Sequence, residues 1–359
     1  MSNDEFFNPH PLHQTAFDVR RSFAFQTPKE AERYYEQCLV EIAETPTNIE
    51  NDGRDNPLVE IPGYGDFAIR TFRTAETQKP LDGYAPQRVL LASPHCDDEV
   101  IATGALAVVA AARGDEVRAL EFTVGSAGRM DHGFDEAKGG AVRLAETLRS
   151  AKLVGINSVD VLIRPDGMMG MREWFWDNNE VLRPLGVAIG RMYDADIAAY
   201  PDSDPAVDSH PDHNATSRVM DYATGWGQDP AFHPNIPFRY EKRGVPLHKL
   251  LYSVWSGGRN VEPSFYVPYD VNGPIAQIIS KAITLHKTQS VPSVGIAERF
   301  GSNYAAAKIL RDYQAGLWRD INNPHAMARE MYVAHPQFQI DKALSVSDEV
   351  LVRIAARMS

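Results

Sequence analysis

Short apolar runs and longer helical patterns alternate through the middle of the chain. The run Arg88–Ser93 is typical of a short buried strand, and the run at 195–200 is strongly apolar. The pattern predicts strands over 88–93, 117–124, 158–163, 195–200 and 249–255, with helices over about 99–113, 137–154 and 172–193. Strands that alternate with helices predict an α/β fold with a Rossmann-like, mostly parallel sheet flanked by helices.

The two ends of the chain follow other patterns. Pro28 opens an amphipathic helix that runs to about Glu44, and alternation between 58 and 74 predicts a β-hairpin or a pair of edge strands. Further helices are predicted over about 271–289, 304–319 and 341–357. We therefore expect an N-terminal extension over 1–86, a core domain over 87–290, and a helical region over 291–359 that completes the same domain.

Composition narrows the class of protein. The 359 residues carry a formal net charge of −12, which argues against sequence-independent nucleic-acid binding, because such binding needs a basic surface. Two cysteines form neither a disulfide framework nor a Cys-rich zinc site, which favours a reducing compartment. The N-terminal residues lack the pattern of a signal peptide, and the longest apolar run is too short for a bilayer. We expect a soluble, cytoplasmic protein with no nucleic-acid or membrane partner.

Metal-ligating side chains follow two of the predicted strands. The segment Ser93–Glu99 places a histidine and adjacent carboxylates after one strand, and Ser209–His213 places two histidines after another. Because parallel strands end at the same edge of a sheet, the two segments can meet there. Imidazole and carboxylate ligands together favour a first-row metal, with Zn²⁺ as the first candidate. Of the neighbouring carboxylates Asp97 and Asp98, a rigid turn favours one as a ligand and the other as a base.

The two segments resemble the paired motifs of a known family. Pro94-His-Cys-Asp-Asp-Glu99 and His210-Pro-Asp-His213 are similar to the His-Pro-Asp-Asp-Glu and His-Pro-Asp-His motifs of the LmbE/PIG-L superfamily of zinc-dependent N-deacetylases. Lesser similarities are Arg143–Glu146 with Leu153–Ile156, Arg164–Gly170, which resembles a segment of mycothiol-type deacetylases, and Leu285–Gln289. The resemblance extends over about residues 88–290 and implies the same Rossmann-like fold.

The resemblance implies roles for the first set of residues. His95, Asp98 and His213 would be the zinc ligands, although Fe²⁺ or Co²⁺ could use the same donors. Asp97 would be the general base that activates zinc-bound water and later returns a proton to the leaving amine. The implied reaction is hydrolysis of an N-acetyl amide, with release of acetate from a small-molecule amino sugar or its conjugate.

The resemblance also implies roles around the substrate. His210, oriented by Asp212, would stabilise the tetrahedral oxyanion. Arg143 and Asp166 would face the polar substrate. Arg129, in a Gly-rich loop after a predicted strand, is a further candidate for a substrate contact.

Other features are more typical of structural roles. Cys96 stands where the family usually has proline, and we expect a small buried side chain rather than an extra ligand. The aromatic run Trp174–Trp176 could stack on a sugar but is more typical of a core, and the acidic residues within 202–208 favour a solvated loop. His286 and Gln289 fit a ligand contact and a structural helix end equally.

Rival functions differ from deacetylation either in the bond that is cleaved or in the class of protein. An amidase that cleaves a larger acyl group or a sugar–thiol conjugate would keep the metal. A binding protein that has lost catalysis would not need the free carboxylate of Asp97. A phosphoesterase with two metals needs more ligands, and a nucleotide-binding protein needs the Gly-x-Gly-x-x-Gly turn that this chain lacks after 88–93. The oligomeric state stays open, and a homo-oligomer fits the pattern as well as a monomer.

Overall fold

A mixed sheet lies at the centre of the structure, a computed structural model that describes residues 25, 27–47, 56–125, 134–164, 178–202, 210–239, 248–252, 265–289, 327–334 and 346–357. Across these residues the sheet has nine strands in the order β1-β2-β5-β4-β3-β6-β7-β9-β8. The strands are β1 (Asn56–Ile61), β2 (Gly65–Arg73), β3 (Arg88–His95), β4 (Glu116–Thr123), β5 (Ser158–Ile163), β6 (Ile197–Pro201), β7 (His248–Tyr252), β8 (Phe265–Asp270) and β9 (Met327–Ala334).

The middle of the sheet is parallel and both edges are antiparallel. Strands β5, β4, β3, β6 and β7 pair in parallel. The β1–β2 hairpin adds to β5 on one side, and β9 with β8 adds to β7 on the other. The neighbours β3 and β6 therefore release their following loops at the same sheet edge, where α/β proteins bind ligands.

Helices cover both faces of the sheet. They are α1 (Pro28–Glu44), α2 (Asp98–Ile101), α3 (Gly104–Arg113), α4 (Glu136–Val154), α5 (Asn179–Met192), α6 (Pro211–Thr224), α7 (Pro274–Thr284) and α8 (Asp348–Ala356). None of the described helices is long and apolar enough to cross a membrane.

The core follows from the alternation of side chains along the strands. Val89 and Leu91 of β3 pack in the cluster formed with α3, α4, α7 and α8, whereas Leu90 and Ala92 pack in the cluster formed with α5 and α6. A strand buried on both faces needs apolar residues at every position, which explains the unbroken run in the sequence. The sheet therefore holds the end of β3 rigidly between two helical layers.

Helix α1 packs on α4 through a third cluster, which contains Tyr34, Cys38, Val142 and Ala145. The start of α1 is a capping box, in which Thr27 Oγ1 accepts from the Glu30 N–H and the Glu30 carboxylate accepts from the Thr27 N–H, each at 3.2 Å. The N-terminal extension is thus attached to the core through an apolar helix face.

Most sequence predictions of elements are confirmed. The predicted α/β fold, the helix from Pro28 to Glu44, the hairpin within 58–74 and the strand at 158–163 are all present. The helix predicted over 99–113 is interrupted after Ile101, where the Thr103 hydroxyl donates to the carbonyl of Glu99 at 2.7 Å. Such side-chain bonds to the preceding turn compete with regular helix geometry.

Two predictions about elements need correction. The helix predicted over 172–193 begins only at Asn179, because Asn178 has non-helical backbone and caps it by accepting from the Glu180 N–H at 3.1 Å. Strands β8 and β9 were not predicted, and β9 lies in the region that the sequence predicted to be helical. The helix predicted over 304–319 lies outside the described residues, and the division into three regions stays a prediction.

Candidate metal centre and catalytic residues

His95 ends strand β3 and is held between two carboxylates. Its Nδ1 lies 3.1 Å from Asp98 Oδ2, and its Nε2 lies 2.9 Å from Asp212 Oδ2. Burial lowers the pKa of His95, but the hydrogen bonds with Asp212 and Asp98 outweigh burial and raise this pKa above its ordinary value. The orientation of the imidazole ring is therefore fixed from both sides.

The second group of histidines lies at the start of α6. His210 is the N-cap residue, and Pro211 is the first helical residue, a position that proline favours. His210 Nδ1 accepts from the Asp212 N–H at 3.2 Å, while 48% of the His210 side chain is exposed. His213 lies in the first turn of α6 and is buried. The helix thus presents one exposed and one buried imidazole at the sheet edge.

The donor atoms of His95, Asp98 and His213 form a small triangle. His95 Nδ1 lies 3.1 Å from Asp98 Oδ2 and 3.2 Å from His213 Nε2, and Asp98 Oδ2 lies 3.4 Å from His213 Nε2. Ligands about 2.0–2.2 Å from a tetrahedral zinc ion are about 3.3–3.6 Å from one another. The two nitrogens and one carboxylate oxygen therefore fit a catalytic zinc site with three protein ligands.

His210 extends the same cluster. Ligand atoms of His95, His210 and His213 all lie within 4.8 Å of one another. The ring centroids of His95 and His210 are 4.7 Å apart. A metal held by the triangle would therefore have the exposed imidazole of His210 beside it, on the side open to solvent.

Asp212 lies nearer to His95 than to His210. Its Oδ2 is 2.9 Å from His95 Nε2 but 4.0 Å from His210 Nδ1. The resemblance implied that Asp212 orients His210, and the structure instead gives that carboxylate its short contact with His95. It is the backbone N–H of Asp212 that bonds to His210. A carboxylate behind a metal-binding histidine fixes the tautomer of the ring and makes the ligand more basic.

Asp97 and Asp98 are neighbours with opposite environments. Burial raises the pKa of Asp97 to about 6, even though the Arg143 guanidinium lies 3.1 Å from its Oδ1 and lowers it. Asp98 is also buried, but its contacts with His213 and His95 hold the pKa of its carboxyl well below the ordinary value. One carboxylate is thus bound among the candidate ligands, while its neighbour can exchange a proton near neutral pH.

Arg143 of α4 lies beneath Asp97. Its Nη1 donates to the Gly125 carbonyl at 2.8 Å and its Nη2 to the Cys96 carbonyl at 3.2 Å, with 7% of the side chain exposed. Gly125 has φ +59°, and a Cβ there would lie 1.8 Å from Arg143 Nη1. Arg143 thus braces the loops after β3 and β4, and a contact of this residue with substrate stays a prediction.

Cys96 is fully buried in the hydrophobic core, as predicted, and burial raises the pKa of its thiol well above the ordinary value.

His286 and Glu99 form a buried pair behind the candidate metal ligands. His286 Nε2 lies 3.6 Å from Glu99 Oε1, and burial lowers the pKa of His286 to about 3 and raises that of Glu99 well above its ordinary value. An uncharged pair is therefore favoured, and His286 faces the protein interior.

The sequence left His286 open between a ligand contact and a structural helix end, and it assigned no role to Glu99. The apolar residues that follow Glu99, from Val100 to Ala102, were the signal that its carboxyl would be buried. Asp202, which the sequence placed in a solvated loop, is buried, and its N–H donates to the Tyr252 carbonyl at 2.8 Å.

Several predicted residues lie outside the described part of the chain. They are the substrate candidates Arg129 and Asp166, the aromatic run Trp174–Trp176, and the acidic residues Asp204 and Asp208.

Comparisons with known proteins agree with the paired motifs. Residues 90–224 match the family model described as "PIG-L: GlcNAc-PI de-N-acetylase", which confirms the predicted resemblance. The chain is 28% identical over 175 residues to a 1D-myo-inositol 2-acetamido-2-deoxy-alpha-D-glucopyranoside deacetylase of Thermobifida fusca, covering 44% of this chain and 60% of the relative. It is 30% identical over 175 residues to the deacetylase of the same name from Streptomyces avermitilis, covering 43% and 58%. The alignments thus span about 60% of the length of these relatives.

Among solved structures, the fold is similar to that of the N,N'-diacetylchitobiose deacetylase from Pyrococcus horikoshii. The TM-score is 0.51 at 20% identity, over 73% of this chain and 87% of the other. At this identity the likeness concerns the fold, and it confirms the predicted α/β class.

Proposed function

We propose that this chain, whose residues 90–224 match the PIG-L family model, is a metal-dependent hydrolase that removes an N-acetyl group from an amino sugar or sugar conjugate. One observation carries the proposal. A triangle of donors from His95, Asp98 and His213 lies beside a buried carboxylate, Asp97, that is not part of the triangle. A site that only binds a metal has no use for that second carboxylate.

The same three residues would hold the metal, and zinc suits two imidazoles and one carboxylate. When bound, zinc would polarise the amide carbonyl and lower the pKa of a coordinated water. Asp212 supports the site from behind, because its carboxylate accepts from His95 Nε2 and so turns Nδ1 toward Asp98 and His213, where it would bind the metal. Fe²⁺ and Co²⁺ suit the same donors. The identity of the metal as zinc is therefore itself part of the proposal.

Asp97 is the proposed general base and acid. With a pKa of about 6, its carboxylate is ionised at neutral pH and can take a proton from the attacking water. The new C–O bond forms as the proton moves to Asp97. The C–N bond then breaks, and Asp97 returns the proton to the leaving nitrogen, so that the amine and acetic acid result, and the acid ionises to acetate at neutral pH. Arg143 holds the carboxylate in place throughout.

His210 is the proposed donor to the tetrahedral oxyanion. Burial lowers the pKa of His210, and the nearby His95 and His213 lower it further, which favours a neutral ring. Since Nδ1 accepts from the Asp212 N–H, the proton of that neutral ring lies on Nε2. The Nε2–H is therefore the group that would donate to an oxygen that gains negative charge.

The substrate class rests on the relatives rather than on the site geometry. Two of them are named as deacetylases of a myo-inositol 2-acetamido-2-deoxy-glucopyranoside. We therefore propose a small-molecule substrate in which an acetamido group is carried by a sugar ring. A cytoplasmic location and the contacts of Arg129 and Asp166 with this sugar stay predictions.

The test is release of acetate from a panel of N-acetylated compounds by the zinc-loaded protein. The panel contains N-acetylglucosamine, its glycosides including a myo-inositol glycoside, and thiol-bearing conjugates. Asp97→Asn is the matched control, because it removes the base and keeps the size of the side chain. Release that the control abolishes supports the proposal. A zinc-loaded protein that releases no acetate but cleaves longer acyl amides would instead be an amidase of the rival type.

A further inference from the structure

Helix α1 lies outside the segment that matches the PIG-L family, yet its Tyr34 contacts the helix that carries Arg143. Tyr34 Oη donates to Glu146 Oε1 of α4 at 3.1 Å. Arg149 Nη1 in turn donates to Tyr34 Oη at 2.6 Å. Tyr34 is buried and Glu146 is fully buried. The N-terminal extension therefore supplies a polar contact inside the protein.

Glu146 also binds the turn that follows α7. The Thr288 N–H donates to Glu146 Oε1 at 3.1 Å, and the Thr288 hydroxyl donates to Oε2 at 2.6 Å. One buried carboxyl thus accepts from the extension on one side and from this turn on the other. The three donors hold Glu146 in one orientation, since a buried carboxyl is costly without hydrogen bonds.

Two short routes lead from Glu146 to the candidate site. Arg143 lies one helical turn before Glu146 on α4, and it pairs with Asp97 at 3.1 Å. His286 lies two residues before Thr288, and its Nε2 is 3.6 Å from the carboxyl of Glu99, the residue that follows Asp98. One route thus ends at Asp97 and the other at Glu99, the two residues on either side of the candidate ligand Asp98.

We propose that Tyr34 is a positioning residue for catalysis: by holding the Glu146 carboxyl, it keeps Arg143 on Asp97 and His286 behind the metal ligands. The inference rests on the proposed deacetylation for its activity readout. Without the Tyr34 hydroxyl, Glu146 keeps its two Thr288 donors and loses the donor from α1. With one donor fewer, the carboxyl can turn toward Arg143, which lies one helical turn away on α4, and draw the guanidinium away from Asp97.

The experiment compares Tyr34→Phe with Tyr35→Phe in the full chain. Both changes remove one hydroxyl from the same helix, but the Tyr35 ring packs near Phe134, at 6.4 Å between centroids. We expect Tyr34→Phe to lower kcat about tenfold with KM within about twofold of wild type, because a small misplacement of catalytic groups reduces the rate without reducing binding. Tyr35→Phe should match wild type in both constants.

A second readout is independent of activity. Amide hydrogen exchange at Thr288 should become faster in Tyr34→Phe and stay unchanged in Tyr35→Phe, because the Thr288 N–H donates to the carboxyl that Tyr34 holds. If the wild type releases no acetate, the proposed function fails while the exchange result still tests the contact. Equal kcat for the two variants, or equal exchange at Thr288, overturns the inference.

A second pair of variants covers the case in which Tyr34→Phe does not fold. Thr288→Val removes the hydroxyl from the other side of Glu146, and Thr288→Ser retains it. We expect Thr288→Val to lower kcat with little change in KM, and Thr288→Ser to retain the wild-type kcat. A loss of kcat that is the same in both variants would also overturn the inference, because it would show that the hydroxyl contact with Glu146 is not needed.

Discussion

Asp212 Oδ2 lies 2.9 Å from His95 Nε2, on the side of the ring opposite the donor atom that faces Asp98 and His213. This carboxylate belongs to the motif after β6, and the histidine belongs to the motif after β3. The contact joins the two motifs directly. We therefore expect Asp212 to act on the proposed metal site through His95, and this leads to the first prediction.

We predict that Asp212→Asn weakens zinc affinity. Loss of such a supporting carboxylate typically costs about 10- to 100-fold in metal affinity. Competition with a chromogenic chelator measures this directly. His210→Gln is the control, since His210 is outside the donor triangle, and it should keep the wild-type affinity while losing turnover. Wild-type affinity in Asp212→Asn would show that His95 does not depend on this partner.

Asp97→Asn should keep the metal and lose turnover. The amide is close in size to the carboxylate but cannot take a proton from water, and loss of a general base costs about 10²–10⁴-fold in rate. Acetate release and zinc content, measured on the same preparation, separate chemistry from metal loss. A rate near that of the wild type at full zinc content would exclude Asp97 as the base.

His213→Ala should abolish zinc binding. It removes one of the three donors that lie within 3.4 Å of one another and leaves only His95 and Asp98 of the triangle. Elemental analysis after gel filtration gives the zinc content per chain. His233→Ala is a suitable control, since that histidine follows α6 in a loop away from the site. Zinc retained at one per chain in His213→Ala would transfer the ligand role to His210.

The pH dependence of stability should reveal the raised pKa of Glu146. Burial raises its pKa to about 7 in the folded protein. Between its ordinary pKa and about 7, the unfolded chain gives up this proton and the folded chain keeps it, so the group lowers stability as pH rises and its effect is complete above about 7. Glu146→Gln cannot ionise. Between pH 5 and pH 8 its free energy of unfolding should therefore fall about 2–3 kcal/mol less than that of the wild type.

Urea denaturation at the two pH values measures this difference. Because other groups titrate in both proteins, only the difference between the two slopes reports on Glu146. Identical pH dependence in the two proteins would mean that Glu146 is ionised in the folded state throughout this range.

Arg191 should be a large contributor to stability. Its guanidinium is buried and donates to five backbone carbonyls, those of Gly227, Asp229, Phe232, His233 and Ile236. Arg191→Ala would remove this buried guanidinium from the five carbonyls, which lie on partly buried backbone, and we expect the loss to cost about 3 kcal/mol or more. Arg183→Ala, at an exposed position on the same helix, should cost less than about 1 kcal/mol. Thermal denaturation compares the two, and equal shifts in Tm would contradict the role given to Arg191.

Local patterns in the sequence were enough for most of the core elements and for the two motifs that carry the candidate donors. The apolar run of β3 and the Pro211 start of α6 place the two motifs at a strand end and a helix start because these signals act between near neighbours in the chain. The spacing of His95 and Asp98 likewise belongs to a single tight turn. That β3 and β6 are neighbours is decided only by the assembled sheet. Even so, the predicted parallel topology already places the loops after these two strands at the same edge.

The tertiary structure decided the partners of individual side chains. Asp212 has His210 as its sequence neighbour, yet its carboxylate bonds to His95, from which it is separated by 117 positions. Tyr34 and Glu146 are 112 positions apart, and Glu146 and Thr288 are 142 apart. Strand β9 pairs antiparallel with β7 on one side and with β8 on the other. Such pairings depend on packing between distant segments, which no local pattern encodes, whereas the chemistry of the donors is set by residue type alone.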